Sequence, residues 1–365
     1  MRRELGMLAA LVLMCIALFI SNSDFLGASN VVNTTRHISM LGIFAIGIAF
    51  VIITGGIDLS VGSVIGLTGV IIARLSSTQS GGLGYPLWIG IAVALVAAVV
   101  VGALQGLLIT RLKLQPFIVT LGGMLLIRGV SQTIVEGGVI SMGDSPLLNL
   151  SSGGILHVGR DPLIGWTTII FVAVAALGAY VLHYTVLGRY IYAIGGNREA
   201  ARYSGINVNR VELLTYVISA GTAGIAGVCY ATYIGQMSHK VGEAYELYAI
   251  AAAVLGGCSL RGGEGTIFGI IIGASMMRVI DNGINMFQIQ YKDPDGIPRL
   301  WRLNPNWNFI IVGAVILIAV ILDQVVHMVQ AARRLKEAGA PKPAAGPPPG
   351  GSSTTPPVQA KSPAT

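Results

Sequence analysis

Two acidic side chains lie inside apolar sequence, where a charge is costly and therefore informative. Asp58 belongs to residues 55–63 (GGIDLSVGS), and Asp281 follows Arg278 by three residues. A carboxylate at the centre of a membrane helix costs roughly 2.5–3.5 kcal/mol on insertion scales, so it needs a partner or a function. Either residue could bind a proton or a cation. Asp58 or Ser60 could instead cap the following helix, and Asp281 could pair with Arg278, so both interpretations stay open.

A second stretch that could do chemistry is the polar, basic run 185–210 between two apolar segments. It contains four arginines. Its centre, residues 197–203, is short and helix-compatible, and Gly205 follows at a position where glycine commonly ends a helix. The charge pattern is typical of an ordinary amphipathic loop. It is equally typical of a short helix that another protein grips.

Catalytic and metal-binding chemistry find no support in the residue spacing. The glycine-rich run 256–265 is not followed by Lys-Ser or Lys-Thr at the spacing of a phosphate-binding loop. The three cysteines lack CxxC spacing, and the five histidines lie near the ends of apolar segments. Neither HExxH nor Gly-x-Ser-Gly with a suitable histidine occurs. The sequence therefore predicts no catalytic residue, no metal site and no cofactor of its own.

The elements that must position these residues are predicted to span a membrane. Only 11% of the 365 residues are charged and 53% are hydrophobic, whereas soluble domains are about 25% charged. The net charge of +7 comes from basic residues at the ends of apolar runs, which is typical of topology signals rather than of a nucleic-acid surface. A helix needs roughly 20 residues to cross the hydrocarbon. Ten spans are predicted, near residues 5–21, 38–54, 59–75, 87–109, 114–135, 164–184, 211–233, 246–258, 265–289 and 308–327.

Two of these predicted spans, 59–75 and 246–258, are short and bordered by glycine pairs, so we expect helices there that are broken or that cross the membrane only in part. The pattern Gly-Gly-x-x-Leu-x-x-Gly occurs at residues 55–62 and again at residues 256–263. Transporters often contain repeats with interrupted helices at corresponding positions. In a chain with 49 glycines such a match is also expected by chance, so internal repetition and a chance match both stay open as explanations.

The distribution of basic residues orients the chain. With the N-terminus in the cytoplasm, twelve Lys and Arg residues fall on the cytoplasmic side and seven outside. No small-x-small cleavage pattern follows the first apolar run, so we interpret it as a membrane helix rather than a signal peptide. The predicted fold class is all-α: a polytopic membrane bundle of about ten helices, broken at glycine-rich turns, with both termini inside. This domain covers residues 1–336, and the Pro-, Ala-, Gly- and Ser-rich residues 337–365 are predicted to be disordered.

Four separated motifs occur in an order that resembles one family. They are Glu199-Ala200-Ala201 followed by Gly205, GGIDLSVGS at residues 55–63, LQPFIVTLG at 114–122 with Arg128-Gly129 beyond, and GGCSLRGGEG at 256–265. With the apolar segments between them they cover residues 38–327. This arrangement resembles the permeases of the ribose/xylose/galactose (monosaccharide) branch of ABC importers, the inner-membrane components of binding-protein-dependent transport.

The resemblance implies a permease that moves a small polar solute, foremost a monosaccharide, into the cytoplasm of a bacterium. It implies no ATPase activity in this chain, because ATP would be bound by a cytoplasmic ABC ATPase subunit. The other implied partners are a second permease copy or homologue, a periplasmic or lipid-anchored solute-binding protein and membrane lipid, and no nucleic acid. The run 185–210 becomes a cytoplasmic coupling loop. Its implied ATPase contacts are Asn197, Arg198, Glu199, Ala200, Ala201, Ser204 and Gly205.

Candidates for the translocation path come from the remaining motifs. Arg128 could extend outward to the membrane surface, or face a polar cavity and pair with Glu136. Amides in the ninth span could face the hydroxyls of a sugar, or serve neighbours on their own helix. The full set of candidates is Gly55, Gly56, Asp58, Ser60, Ser63, Gln115, Phe117, Thr120, Arg128, Asn282 and Asn285. The alternative function is an ion-coupled secondary transporter or channel for a small polar solute, with Asp58 and Asp281 as ion-binding residues.

Overall fold

The computed structural model describes residues 2–79, 81–143, 153–158, 161–292 and 298–302, with scattered positions at 145–150 and 307–328. Helices dominate this part of the chain. In chain order they are α1 Arg2–Ser21, α2 Ala28–Ile53, α3 Val61–Ser76, α4 Leu87–Arg111, α5 Pro116–Ile134, α6 Trp166–Tyr184, α7 Val186–Gly196, α8 Arg198–Tyr203, α9 Val208–Ile234, α10 Tyr245–Leu255 and α11 Ile267–Met286. A 3₁₀ turn, Ser23–Leu26, joins α1 to α2.

Seven of the described helices are long and apolar enough to cross a membrane, namely α1, α2, α4, α5, α6, α9 and α11. Helices α3 and α10 are also apolar but shorter, as expected for the two spans bordered by glycine pairs. The predicted span 308–327 lies largely outside the described residues, and so does the predicted tail 337–365. The number of about ten crossings and the placement of both termini inside remain predictions.

Helices α2 and α9 form the centre of the bundle. Every residue of α2 from Ser39 to Ile53 is buried, which fits a helix that is hydrophobic on all sides. Helix α9 packs against α2, α3 and α4. The contacts are close because the helices meet at small residues: a β-carbon added to Gly47 would overlap Thr222.

The outer helices expose apolar side chains, as lipid-facing helices do. Helix α4 presents Trp88, Val96 and Leu104 on its surface. In the most apolar stretch of each of the helices α4, α5 and α6, fewer than a third of the residues are buried. None of the residues Glu4–Ser21 of helix α1 is buried. It packs on α11, where Leu18 faces Gly283.

The all-α prediction misses six short strands among the described loop residues. β1 Ile140–Ser141 pairs with β4 Gln236–Met237, β2 Gly154–Val158 with β3 Asp161–Gly165, and β5 Gln288–Lys292 with β6 Pro298–Arg302, all antiparallel. Apolar length predicts the spans but says nothing about the loops. In the loops, short strand pairs satisfy backbone N–H and C=O groups that helices cannot reach.

Contacts divide the chain into two units, Met1–Val320 and Ile321–Thr365. All elements named above belong to the first unit. In the second, residues 321, 324, 325 and 328 are described, and each is helical.

Candidate functional site

The helical conformation is interrupted between α2 and α3, at the predicted glycine pair. Helix α2 ends at Ile53, and the Thr54 hydroxyl donates to the carbonyl of Val51 at 2.8 Å. Gly55 has a φ of +84°, a conformation that favours glycine. Helix α3 begins at Val61, so residues 54–60 form a non-helical link between two apolar helices. We call these residues the break.

Asp58 holds the break in place. Its side chain is buried, and one carboxylate oxygen accepts hydrogen bonds from the Ser60 backbone N–H at 2.9 Å and the Ser60 hydroxyl at 2.7 Å. The other oxygen accepts from the Ser219 hydroxyl of α9 at 2.8 Å. Ser60 makes no side-chain capping bond to α3. It lies instead between Asp58 and the amide of Gln105, at 2.9 Å. The capping prediction for Ser60 is therefore wrong, because its hydroxyl is directed towards Asp58 and Gln105 rather than towards the first N–H groups of α3.

The predicted short helix in the polar run exists as α8. The Asn197 side chain accepts from the backbone N–H of Ala200 at 2.9 Å and caps its start. Gly205, with a φ of +84°, follows its end. Glu199 and Ala200 are exposed, whereas Ala201 is buried against the rest of the chain. One face of α8 is thus anchored and the other is free.

An ion pair ties α8 to α9. The Arg198 guanidinium donates to the Glu212 carboxylate at 2.8 Å. The Arg198 side chain is 57% exposed, but that of Glu212 is 11% exposed. The partly buried carboxylate therefore receives its charge partner from the short helix.

Glu212 belongs to a row of three polar residues on α9 that the sequence analysis missed. Tyr216 and Ser219 follow it at i+4 and i+7, which places all three on one face of the helix. Tyr216 is 2% exposed, and a β-carbon added to Gly56 would lie 2.6 Å from its hydroxyl oxygen. Ser219 donates to Asp58. The spacing of polar residues within an apolar helix was the available signal.

Three glycine-rich turns meet at the same end of the bundle. The Gly263 N–H donates to the carbonyl of Ile53 at 2.8 Å. A β-carbon added to Gly195 would overlap that carbonyl, and one added to Gly262 would lie 3.0 Å from the Cα of Gly195. The end of α7, the end of α2 and the turn after α10 therefore touch through main chain alone. We call this contact the glycine junction.

Tyr192 reinforces the glycine junction from α7. Its hydroxyl donates to the carbonyl of Gly265 at 2.6 Å. Burial raises the pKa of Tyr192 to about 12, so the hydroxyl keeps its hydrogen at neutral pH. The junction thus has a side-chain bond beside its main-chain bond.

A polar cleft of about 560 Å³ opens between the break and α8. It brings together predicted path residues and predicted coupling residues, which the sequence could not place side by side. Its lining is Thr54, Gly55, Gly56, Ile109, Lys113, Leu114, Pro116, Arg198, Glu199, Arg202, Ile206, Asn207, Val208, Asn209, Glu212 and Tyr216.

Several other path candidates also lie near the break. Thr120 is buried, donates to the carbonyl of Pro116 at 2.9 Å and lies 3.3 Å from that of Ile57. The Ser63 hydroxyl donates to the carbonyl of Ser60 at 2.7 Å. Gln115 and Phe117 are exposed at the start of α5, so they are on the surface of this chain.

Arg128 lies away from the break, towards the other end of α5. Its guanidinium is half-buried and donates to the carbonyl of His239 at 3.2 Å. The predicted partner Glu136 is exposed, with a φ of +52°. The described hydrogen bond of Arg128 therefore joins α5 to the loop after β4.

The amides of α11 serve the protein itself. Asn282 and Asn30 exchange side-chain hydrogen bonds at 2.7 and 3.2 Å, and Asn285 donates to the carbonyl of Asp281 at 2.9 Å. The predicted pair Arg278–Asp281 forms at 2.8 Å. These residues lie in the second half of α11, whereas the glycine junction precedes its first turn. The predicted path set therefore splits into two separate groups.

No group of three or more His, Cys, Asp or Glu side chains suited to a metal ion occurs within the described part of the chain. The described site combines hydroxyls, amides and main chain with the Asp58 carboxylate, the Arg198–Glu212 ion pair and the charged side chains of the cleft lining.

The chain has relatives of known transport function. It is 36% identical over 319 residues to the ribose import permease protein RbsC of Escherichia coli (strain K12), covering 87% of this chain and 92% of the relative. It is 35% identical over 336 residues to RbsC of Bacillus subtilis (strain 168), with coverages of 88% and 93%. The xylose transport system permease protein XylH of Escherichia coli (strain K12) is 34% identical over 373 residues, with coverages of 87% and 90%.

No solved structure matches the chain significantly. The family model described as the branched-chain amino acid transport system / permease component matches residues 30–320, which include the break, α8, α9 and the glycine junction. Together with the relatives above, this match shows that the chain belongs to that family of permease components.

Proposed function

We propose that this chain is the membrane-spanning permease subunit of an ATP-driven importer that brings a small polar solute, foremost a monosaccharide, into the cytoplasm. The names of the relatives, ribose import permease and xylose transport permease, support the solute class. The observation that carries the mechanism is α8, an exposed short helix whose Arg198 is bonded to the central helix α9.

The partners follow from this role. A cytoplasmic ATPase pair grips the exposed face of α8 through Asn197, Arg198, Glu199 and the turn at Gly205, while Ala201 seats the helix on its own chain. A second permease copy or homologue completes the path, and a periplasmic or lipid-anchored binding protein delivers the solute. This chain binds no ATP itself. It lies in the bacterial inner membrane with about ten crossings and both termini inside.

Alternating access would use the polar cleft. Closure of the ATPase pair on ATP moves α8, and this movement changes the opening between α8 and the break. Hydroxyls and main-chain groups at the break offer hydrogen bonds to a neutral polyol. Hydrolysis then resets the cleft.

The ion-coupled alternative is not favoured. Both oxygens of Asp58 accept hydrogen bonds from serine groups, and Asp281 is paired with Arg278. The two carboxylates that an ion-driven mechanism would use are therefore held by the fold.

Copurification from native membranes tests the proposal. We expect the tagged wild-type chain to bring down an ATP-binding subunit, and the variant Glu199→Ala plus Gly205→Trp to lose it. No atom lies within 4 Å of a β-carbon built on Gly205, so a loss would reflect strain at the end of α8 or a blocked contact with the partner. Arg189→Ala, at an exposed position of α7, is the matched control. If wild type recovers no ATPase while other membrane complexes survive, the proposal fails.

A further inference from the structure

We propose that Glu212 receives the movement of α8 and that one face of α9 passes it to the break. The route runs from Arg198 to Glu212, then along Tyr216 and Ser219 to Asp58. This inference rests on the proposed function, because it requires an ATPase that grips α8.

The first step is the ion pair between α8 and α9. Helix α8 has six residues, of which Ala201 is buried, so packing alone holds it weakly. Arg198 is exposed enough to move with a bound partner, whereas Glu212 is fixed on a 27-residue helix. A displacement of α8 is therefore transmitted to α9 through the Arg198–Glu212 ion pair.

The second step follows the α9 face for about 10 Å, since seven residues rise about 1.5 Å each. Tyr216 packs its hydroxyl against Gly56, and Ser219 bonds Asp58. Both contacts end on the break. A continuous helix that carries all three side chains moves them together.

The third step concerns Tyr216, whose hydroxyl is buried and has no hydrogen-bond partner among the described residues. A buried hydroxyl without a partner destabilises the arrangement that leaves it so. A second position of the break, in which a main-chain carbonyl meets this hydroxyl, would relieve that cost. The inference therefore requires a second state of this contact in the ATP-bound complex.

A purely stabilising role for Glu212 explains less. Acidic residues favour the dipole within the first turn of a helix. Glu212 is the fifth residue of α9, beyond that turn. Its position is instead the one from which it can reach Arg198 and still share a face with Tyr216 and Ser219.

The test uses the full complex with its ATPase and follows the break directly. Thr54 lines the cleft, so Thr54→Cys reports the position of the break through its rate of maleimide labelling, with Cys15 replaced by alanine. Cys229 and Cys258 are buried. Rates are compared with and without ATP plus vanadate, in the native pair, in Arg198→Glu, in Glu212→Arg and in the double reversal.

We expect ATP to change the labelling rate about fivefold in the native pair, a common size for coupling between two sites. Glu212→Arg should abolish that change while the ATPase still copurifies. Arg198 is also a proposed ATPase contact, so Arg198→Glu and the double reversal are compared at equal recovery of the ATPase, where the single reversal should abolish the change and the double reversal should restore it. Glu212→Gln, which keeps the shape but not the charge, should retain part of the change. Arg210→Glu, a reversal at an exposed neighbour on α9, should leave it intact.

Three results would overturn the inference. The first is an unchanged ATP response in both single reversals with the ATPase bound, and the second is no response in the native pair with the ATPase bound. The third is loss of the ATPase from the Glu212 variants, which would make Glu212 a docking residue. Absence of any ATPase from the wild-type chain would instead refute the proposed function, so the two failures are distinguishable.

Discussion

At the scale of single residues, Asp58 shows how a costly buried carboxylate becomes a fixed point. Three donors, two of them hydroxyls, surround its two oxygens, so a charge that could have served an ion instead joins the break to α9. A hydrogen bond typically contributes about 0.5–1.5 kcal/mol to stability, and leaving a buried polar group without its partner costs more. The site depends on this residue for its shape.

We therefore expect the replacement of Asp58 to reduce the stability of the protein. Transport by wild type and by the variant should both be independent of an ion gradient. We expect Asp58→Asn to lower the midpoint of thermal unfolding in detergent by several degrees, because the amide nitrogen cannot accept from Ser219. Ser219→Ala should lower it less, since it removes one donor. The structural role would be contradicted if Asp58→Asn unfolded like wild type and if transport by wild type, but not by the variant, responded to a collapsed proton gradient.

Tyr192 permits a prediction about pH. Its folded-state pKa, about 12, lies above the usual value near 10, so the folded state favours the protonated hydroxyl. This contribution to stability is fully present below pH 10 and is lost as the pH rises towards 12. Wild type should therefore exceed Tyr192→Phe by a constant margin of about 1 kcal/mol between pH 7 and 9.

The comparison of the two proteins above pH 10 provides the check. The unfolding free energy of wild type should fall relative to that of Tyr192→Phe there, as measured by denaturant unfolding at each pH. A margin that already changes between pH 7 and 9 would mean that the bond to Gly265 is absent in solution.

At the scale of elements, the sequence was sufficient to predict the break and α8, but it could not predict that the two lie side by side in the fold. The glycine pair, the cap at Asn197 and the glycine after α8 are local signals that act within a few residues. The glycine junction depends on where α2, α7 and α10 end relative to each other in space. In a chain with 49 glycines, no local pattern distinguishes the few that touch.

Neighbouring glycines at the end of α7 provide a matched test of that contact. Gly195→Ala adds a carbon that overlaps the carbonyl of Ile53, whereas nothing lies within 4 Å of a β-carbon on Gly196. Overpacking of this kind costs typically about 1–3 kcal/mol. We expect Gly195→Ala to lower the unfolding temperature clearly and Gly196→Ala to leave it nearly unchanged. Equal effects of the two substitutions would argue against the junction.

At the scale of the whole molecule, hydropathy predicted the membrane bundle and its short third and eighth segments, because apolar length is set by the membrane itself. It could not predict the strand pairs of the loops or the partner of Asn282. That partner, Asn30, is 252 residues away in sequence. Such pairings follow from packing of the complete bundle rather than from any one segment.

The predicted orientation can be measured with two surface cysteines. Tyr203, on α8, is 86% exposed and Leu83, between α3 and α4, is 55% exposed. With the N-terminus inside, we expect an impermeant maleimide to label Leu83→Cys in spheroplasts, where the outer membrane is removed. Tyr203→Cys should label only after the inner membrane is permeabilised. The reverse pattern would invert the topology and place α8 out of reach of a cytoplasmic ATPase.

The glycine junction has a consequence for how permeases of this kind can diversify. Because its three segments meet mostly through main chain, with Tyr192 as a side-chain contact, few side chains at the junction can be exchanged. The lining of the path, by contrast, consists of side chains that can be replaced one at a time. Substitutions that change the preferred solute can then accumulate in the lining without altering the main-chain contact of the glycine junction.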